Sequence, residues 1–267
     1  MSAPNATDEP SVLTRHDDNG TAILTLNRPD KFNALSVALL TALQAEFDSI
    51  AADSSVRTVV LAGNGRAFCA GHDLQEMRAN PGRQAYQALF EQCAQLMLTI
   101  TRIPQPVIAR VHGVATAAGC QLVATCDLAV AAEQARFAVS GVNLGLFCST
   151  PMVALTRNMP RKQAMEMLLT GEFIDADAAL RYGLVNKVVP LDHLDDAVTS
   201  LATNIASKSP AAIAFGKQLY YKQLESGVEQ AYQLASETMT CNMLTEDAET
   251  GIDAFINKHP PPTWKGR

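Results

Sequence analysis

The sequence predicts an α/β fold that continues into a helical C-terminal region. Segments with strand and helix patterns alternate through residue 190, and such alternation is typical of α/β proteins. From Asp192 onward only helical patterns remain. The chain has 267 residues, of which 48% are hydrophobic and 18% charged, so it can bury a sizeable core. We therefore expect a flexible tail at residues 1–11, an α/β core at residues 12–191 and a helical region at residues 192–267.

Five short runs of apolar and β-branched residues predict the strands of the core. The runs are bounded by turn residues, as in Asn27-Arg28-Pro29 after the first run and Gly63-Asn64-Gly65 after the second. The predicted strands are residues 21–26, 56–62, 106–111, 128–131 and 185–189.

Helices are predicted from apolar residues at spacings of three and four, and from their caps. Ser36 resembles an N-cap for the first helix, in which apolar residues recur from Leu39 to Ile50. An amphipathic helix is predicted at residues 83–102, an apolar one at 120–126, and a short one from Asp175 to Gly183. The C-terminal helices are predicted at residues 194–207, 210–224, 228–244 and 245–257.

Two turns of small residues, each placed after a predicted strand, indicate a site for a developing negative charge. Residues 111–122 read VHGVATAAGCQL and lead into an apolar helix, and residues 66–74 read RAFCAGHDL. Small residues let a ligand approach the backbone closely, and the first N–H groups of a helix are unpaired. Two such turns could supply one N–H each, which is the layout of an oxyanion hole.

These two segments resemble the signature segments of the crotonase superfamily, which has the enoyl-CoA hydratase/isomerase fold. The resemblance also covers residues 26–35, 164–171, 178–190 and 249–255. It implies a spiral of repeated ββα units and C-terminal helices that form a homotrimer or a dimer of trimers. It further implies a lyase or isomerase of fatty acid metabolism, with coenzyme A thioester as substrate or ligand and no other cofactor.

The family pattern assigns roles to individual positions. The N–H groups of His72 and Ala118 would grip the thioester oxygen, and the loop that begins at Lys31 would meet the nucleotide of coenzyme A. The implied substrate-binding residues are Lys31, Phe32, Ala34, Ala70, His72, Asp73, Leu74 and Ala118.

Two departures from the family pattern concern catalysis. Hydratases of this family use two glutamates, and here these positions hold Gln121 and Gly141, neither of which can ionise. We expect Gly141 to leave open space where the acid would stand. Residues 117–121, which read AAGCQ, together with residues 146–151, which read LFCSTP, make the chain most similar to the subgroup called enoyl-CoA hydratase domain-containing protein 3.

Three functions follow from this pattern. The protein could be an acyl-CoA enzyme that uses the hole without the two acids, for isomerisation, decarboxylation, retro-Claisen cleavage or thioester hydrolysis. It could be a non-catalytic acyl-CoA binder or regulator. It could also be a hydratase whose acids come from other positions, such as Asp73 or Glu91. The His72 imidazole is a further acid–base candidate, and Cys120 and Cys148 are nucleophile candidates.

Charge and composition exclude other classes of function. The net charge of −6 and the absence of a long basic cluster argue against a nucleic-acid partner. No apolar stretch of about 18 residues predicts a membrane span, and the histidines and acids have no metal-ligand spacing. The six scattered cysteines are predicted as buried, reduced thiols. The first ten residues show no targeting pattern, from which we expect a cytoplasmic location.

Overall fold

The computed structural model describes residues 11–267. The predicted flexible tail therefore lies outside the described residues, except for Ser11. The strands are β1 (Leu13–Asp18), β2 (Thr21–Leu26), β3 (Thr58–Gly63), β4 (Ala67–Cys69), β5 (Val107–Val111), β6 (Val114–Thr116), β7 (Leu128–Ala132), β8 (Arg136–Ala138), β9 (Ile174–Asp175) and β10 (Lys187–Val189).

The strands form two sheets that are linked by alternating strand pairs. The six-stranded sheet has the order β1-β2-β3-β5-β7-β10, and the four-stranded sheet has the order β4-β6-β8-β9. All neighbours are parallel except β1 with β2 and β8 with β9. Each of the pairs β3–β4, β5–β6 and β7–β8 places its first strand in the larger sheet and its second in the smaller one.

Helices follow each of these strand pairs, which completes the ββα repeat: α2 (Leu74–Ala79) and α3 (Arg83–Arg102) follow β4, α4 (Ala118–Thr125) follows β6, and α5 (Ser149–Asn158) and α6 (Arg161–Thr170) follow β8. The other helices are α1 (Val37–Ala51), α7 (Ala176–Arg181), α8 (Leu194–Ala206), α9 (Pro210–Leu224), α10 (Val228–Met243) and α11 (Glu246–Ile256). The predicted fold class, an α/β spiral of ββα units with a helical C-terminal region, is confirmed. The Ser36 hydroxyl accepts a hydrogen bond from the N–H of Leu39, as predicted for an N-cap.

Both faces of the larger sheet are buried, because successive side chains of a strand point to opposite faces. In β3, Leu61 faces the main core together with Leu40 and Phe47 of α1. Val60, one residue earlier, faces a second cluster, which includes Val198 of α8. This two-sided burial explains the unbroken apolar run of β3.

A buried ion pair joins the C-terminal helices to the core. The Lys217 ammonium group on α9 lies 2.6 Å from the Asp127 carboxylate and donates to the carbonyl oxygens of Ile100 and Gln105, both at 2.8 Å. The other oxygen of Asp127 accepts a hydrogen bond from the Tyr221 hydroxyl. Asp127 lies just after α4, so the pair fixes the C-terminal end of that helix.

Several elements differ from the sequence-based expectation. The four strands of the smaller sheet, of two or three residues each, were not predicted, and neither were β1, α2, α5 and α6. Five of the six cysteines are buried and free as predicted, but Cys241 is exposed on α10. Within residues 11–267, no helix combines the length and the apolar character needed to cross a bilayer.

Candidate active site

The two small-residue turns lie side by side because they follow adjacent parallel strands. Strands β4 and β6 are paired, so their carboxyl ends, at Cys69 and Thr116, meet at one edge of the sheet. A Cβ atom on Gly71, where φ is +90°, would lie 3.2 Å from the Ala118 nitrogen. A Cβ atom on Gly119 would lie 2.1 Å from the Cys69 carbonyl oxygen. Only glycine at these two positions allows the turns to approach this closely.

Each turn presents a backbone N–H that the fold leaves available. Ala118 is the first residue of α4, and the first N–H groups of a helix have no acceptor within it. In the other turn, Leu35 pairs with the residues on both sides of His72: its N–H donates to the Gly71 oxygen and its carbonyl accepts from Asp73. Within residues 11–267 the His72 N–H itself donates no backbone hydrogen bond.

Ala117 holds a strained backbone conformation at the start of α4. Its φ is 51° and its ψ is −121°, a combination that favours glycine and costs an alanine about 1–3 kcal/mol. The Ala117 N–H donates to the Ala138 oxygen of β8 at 2.9 Å, which fixes the residue from one side. The strained ψ sets the plane of the next peptide and hence the direction of the Ala118 N–H.

The loop that contains Lys31, Phe32 and Ala34 is hydrogen-bonded to the turn at residues 70–73. The Phe32 carbonyl accepts a hydrogen bond from the N–H of Ala70 at 3.0 Å. Asn33, which is fully buried, closes the loop: its side-chain amide donates to the carbonyl oxygens of Asn64 and Ala67, both at 2.8 Å. The structure thus brings this loop together with the Ala70–Asp73 turn. Asn33 was not singled out from the sequence, although an asparagine between apolar residues is a signal for a buried turn.

Exposed cations border this loop. The Lys31 ammonium group donates to the Gln75 side chain at 3.0 Å, and the Arg66 guanidinium lies 5.3 Å from the ring centre of Phe32, which is 45% exposed. Arg66 begins the RAFCAGHDL segment, but nothing in the sequence pattern indicates its position beside Phe32. The group of Lys31, Phe32 and Arg66 offers positive charge and an aromatic face to a ligand at this edge.

Asp73 has a structural role that occupies its carboxylate. It caps α2 by accepting from the N–H groups of Gln75 and Glu76, and it pairs with Arg28 at 2.9 Å. Partial burial opposes ionisation, but the Arg28 hydrogen bond and the cap outweigh it and lower the pKa of Asp73. Such a carboxylate stays ionised and engaged, which disfavours a role in proton transfer. The neighbouring Leu74, the first residue of α2, is exposed.

The His72 side chain is enclosed beside the aromatic ring of Phe90. The two ring centres are 5.6 Å apart in an edge-on arrangement. Burial lowers the pKa of the imidazole, and the nearby backbone of Leu35 offsets part of that shift. The imidazole is therefore neutral near pH 7.

The two positions that lack the family's acids differ in their surroundings. Gln121 is 4% exposed on α4, and its Oε1 has no hydrogen-bond partner within residues 11–267. Gly141 does not leave open space, contrary to the expectation. A Cβ atom there would lie 2.6 Å from the Leu146 carbonyl oxygen and 2.8 Å from the Cys148 sulfur. The segment after Gly141 folds back and fills the position.

The remaining candidates have no geometry for catalysis. Burial raises the pKa of Cys120 to about 12, and it also raises the pKa of Cys148, so both thiols stay protonated and weakly nucleophilic. Glu91 is exposed and accepts a hydrogen bond from Gln87 of its own helix. A cleft of about 380 Å³ lies between α9 and α10, but none of the predicted site residues line it.

Comparison with known proteins supports the resemblance. The sequence profile of the enoyl-CoA hydratase/isomerase family matches residues 16–267. Human enoyl-CoA hydratase domain-containing protein 3, mitochondrial, is 44% identical over 253 residues, which cover 95% of this chain and 84% of that protein. The 2,3-dehydroadipyl-CoA hydratase of Escherichia coli is 36% identical, over 92% of this chain and 95% of that protein.

The solved structures agree in fold. The crystal structure of an enoyl-CoA hydratase from Mycobacterium smegmatis is 57% identical and superimposes with a TM-score of 0.93, covering 95% of this chain and 99% of that one. The predicted similarity to the enoyl-CoA hydratase domain-containing protein 3 subgroup is confirmed.

One prediction is wrong. The rat, mouse, frog and human relatives are named mitochondrial, which contradicts the cytoplasmic location expected from the sequence. That expectation depended on the missing targeting pattern in the first ten residues, and such an absence does not determine a compartment.

The matches over nearly the whole chain and the repeated ββα fold lead to one conclusion: the chain belongs to the enoyl-CoA hydratase/isomerase family.

Proposed function

We propose that this protein binds acyl-CoA thioesters and holds the thioester oxygen between the N–H groups of His72 and Ala118. The observation that carries the proposal is the meeting of the two turns, with a strained Ala117 that directs one donor. The cations beside Phe32 suit the phosphates of coenzyme A. Removal of one donor from such a hole typically costs about 10²–10³ in rate.

The chemistry supported by this site is stabilisation of negative charge on the thioester oxygen. When a bond to the carbon next to the thioester breaks, its electrons move onto this oxygen, and the two N–H groups stabilise the resulting enolate. A positioned acid or base contributes about 10²–10⁴-fold, and neither Gln121 nor Gly141 can supply one. Isomerisation, decarboxylation, retro-Claisen cleavage and thioester hydrolysis remain candidate reactions, whereas hydration through two carboxylates is not supported.

A non-catalytic acyl-CoA binder is the second candidate. The observation in its favour is the crowding at Gly141, where the Leu146 carbonyl and the Cys148 sulfur take the place of a reacting group. The third candidate, a hydratase with substitute acids, is less well supported. Asp73 is engaged by Arg28 and by the cap of α2, and Glu91 is exposed.

The proposed assembly is a homotrimer or a dimer of trimers. In its support, the C-terminal helices expose large apolar side chains, among them Tyr232, Leu244 and Phe255, at 74%, 83% and 84% of their surfaces. Apolar patches of this kind mark contact surfaces. Light scattering on the purified full chain tests the assembly, and a monomer at micromolar concentration would contradict it.

Infrared difference spectroscopy of bound butyryl-CoA tests the hole directly. Two hydrogen bonds to the thioester oxygen weaken its C=O bond, so we expect the stretching frequency to fall below that of the free thioester in water. Calorimetry with coenzyme A and butyryl-CoA gives the affinity. Hydration of crotonyl-CoA, followed by absorbance, is expected to stay well below the roughly 10 per second of an average enzyme. Bound thioester with an unshifted carbonyl band would refute the hole.

A further inference from the structure

Three polar side chains away from the site form a closed cluster at the carboxyl end of α4. They are Lys217 and Tyr221 on α9 and Asp127, which follows α4. One Asp127 oxygen lies 2.6 Å from the Lys217 ammonium nitrogen, and the other accepts from the Tyr221 hydroxyl at 2.8 Å. The side chains of Lys217 and Asp127 are only 6% and 14% exposed. The proposed chemistry makes no direct use of these groups.

Asp127 closes the chain segment that carries the Ala118 donor. The carboxylate oxygen that meets Lys217 also accepts from the N–H of Val107 at 2.7 Å. Val107 begins β5 and Asp127 follows α4, so one carboxylate joins the two ends of the β5–β6–α4 segment. Ala118 lies within this segment, at the point where β6 leads into α4. A movement of Asp127 is therefore shared by the strand that leads into this turn and by the helix that leaves it.

Lys217 links the same segment to α3, which borders the other turn of the site. Its ammonium group donates to the carbonyl oxygens of Ile100, in the last turn of α3, and of Gln105, both at 2.8 Å. A cation suits this place because the last carbonyl groups of a helix are unpaired. Phe90, on the same helix, packs against the His72 ring with 5.6 Å between the ring centres.

The two helices connect the cluster to both halves of the hole. At about 1.5 Å per residue, α3 rises about 15 Å from Ile100 back to Phe90, and α4 rises about 10 Å from Thr125 back to Ala118. Both helices contribute side chains to the main core. Because packed side chains and rigid elements carry coupling between separate places in a protein, a change at the carboxyl ends of α3 and α4 alters the position of their other ends.

We infer that Lys217, Asp127 and Tyr221 are positioning residues, which set the separation of the two N–H donors from the far ends of α3 and α4. The inference rests on the proposed oxyanion hole. The donors of such a hole lie about 2.7–3.1 Å from the oxygen that they stabilise, and a functional site tolerates displacements of only about 0.5 Å. A precise separation of the two turns is therefore essential to the hole.

The cluster is suited to this role because its contacts converge. Five hydrogen bonds from four separate parts of the chain meet at the Lys217 ammonium group and the Asp127 carboxylate. A buried ion pair often adds little net stability, since removal of both charges from water offsets their attraction. We therefore assign the cluster a role in geometry in addition to its contribution to stability.

Infrared difference spectroscopy of bound butyryl-CoA, at concentrations that saturate each variant of the full chain, tests the inference. Lys217→Met removes the ammonium group and keeps most of the side-chain length. We expect it to lose at least half of the wild-type carbonyl shift and to bind butyryl-CoA about tenfold more weakly, as for the loss of one hydrogen bond. Tyr221→Phe deletes only the hydroxyl group on the second Asp127 oxygen and should lose a smaller part of the shift. Lys222→Met, the matched control, removes an exposed ammonium group from the same helix and should keep the full shift.

Urea denaturation separates positioning from simple stabilisation. Residues that only stabilise the fold lower the urea midpoint when they are replaced, but the folded molecules keep a wild-type hole. If Lys217→Met unfolds at a lower urea concentration yet shows the full carbonyl shift, the inference is wrong. Should Lys217→Met fail to fold, the milder Tyr221→Phe decides by the same criterion.

The wild-type spectrum separates this inference from the proposed function. If the wild-type protein binds butyryl-CoA with an unshifted carbonyl band, the hole is absent and both are wrong. If the wild-type band is shifted and the bands of both cluster variants are shifted equally, the proposed function stands and the positioning role alone is refuted.

Discussion

Replacement of Gly119 by alanine tests the contact that brings the two turns together. The new Cβ atom would lie 2.1 Å from the Cys69 carbonyl oxygen, 2.7 Å from its carbon and 2.8 Å from the Cys69 Cβ. Ordinary contacts between carbon and oxygen are roughly 3.3 Å, so the turns must separate by about 1.2 Å. The obstacle is a backbone carbonyl, which cannot swing away as a flexible side chain would.

We expect Gly119→Ala to lower the free energy of unfolding and to damage the hole. Overpacking of a tight site typically costs about 1–3 kcal/mol, and the rigid obstacle places this variant near the upper end. The same separation moves the Ala118 N–H away from the His72 N–H. Since a misplacement of about 1 Å can reduce function by about 10²-fold, the infrared shift of bound butyryl-CoA should shrink or vanish.

Urea denaturation and infrared spectroscopy measure the two effects. Gly216→Ala in α9 is the matched control, because no atom lies within 4 Å of the added Cβ. This control should stabilise the protein by about 0.5–1 kcal/mol, as alanine favours a helix over glycine. If Gly119→Ala unfolds at the wild-type urea concentration and keeps the full carbonyl shift, the two turns are not in rigid contact at Gly119.

Three further substitutions test neighbouring features, each by urea denaturation. Ala117→Gly should stabilise the protein by about 0.5–2 kcal/mol, because relief of a strain of about 1–3 kcal/mol exceeds the entropic cost of glycine; a loss of stability would show that Ala117 is unstrained. Asp73→Asn should lower stability at pH 7 by about 1 kcal/mol through loss of the charged pair with Arg28, since the asparagine oxygen can still cap α2. The folded-state pKa of Asp73 lies below its ordinary 3.8, so this difference should be complete above pH 4 and disappear as the pH falls through the folded-state pKa; a constant difference would contradict the pairing. Gly141→Ala should lower the free energy of unfolding by about 1–3 kcal/mol, because its Cβ would lie 2.6 Å from the Leu146 oxygen. An unchanged urea midpoint would show that the position is open, as expected from the sequence.

The sequence predicted the elements whose signals are local and long. Helices α3 and α9 begin and end at the predicted residues, because amphipathic spacing and the proline at position 210 act within each segment. The strands of the smaller sheet contain only two or three residues, which is too short for any periodicity. Their existence depends on pairing between distant segments.

The features of the site also separate into those that local sequence predicts and those that depend on contacts between distant segments. The small residues of both turns were visible in the sequence, but the reason that the turns meet, the pairing of β4 with β6, was not. The space at Gly141 is filled because the chain folds back and brings Leu146 and Cys148 next to it. The sequence pattern does not predict this contact. The positive φ of Ala117 was also hidden, since glycine rather than alanine is the usual signal for that conformation.

The Lys217–Asp127 pair restricts how parts of this chain can be exchanged with those of its relatives. Helix α4 carries the Ala118 donor at its start and is followed by Asp127, whose partner comes from α9. A chimera that takes its C-terminal helices from another protein must bring a cation that occupies the position of Lys217. Without one, Asp127 becomes a largely buried carboxylate with no counterion, at a cost of up to about 3–5 kcal/mol. Residues 127 and 217 must therefore be exchanged together in such a chimera, although they lie far apart in the sequence.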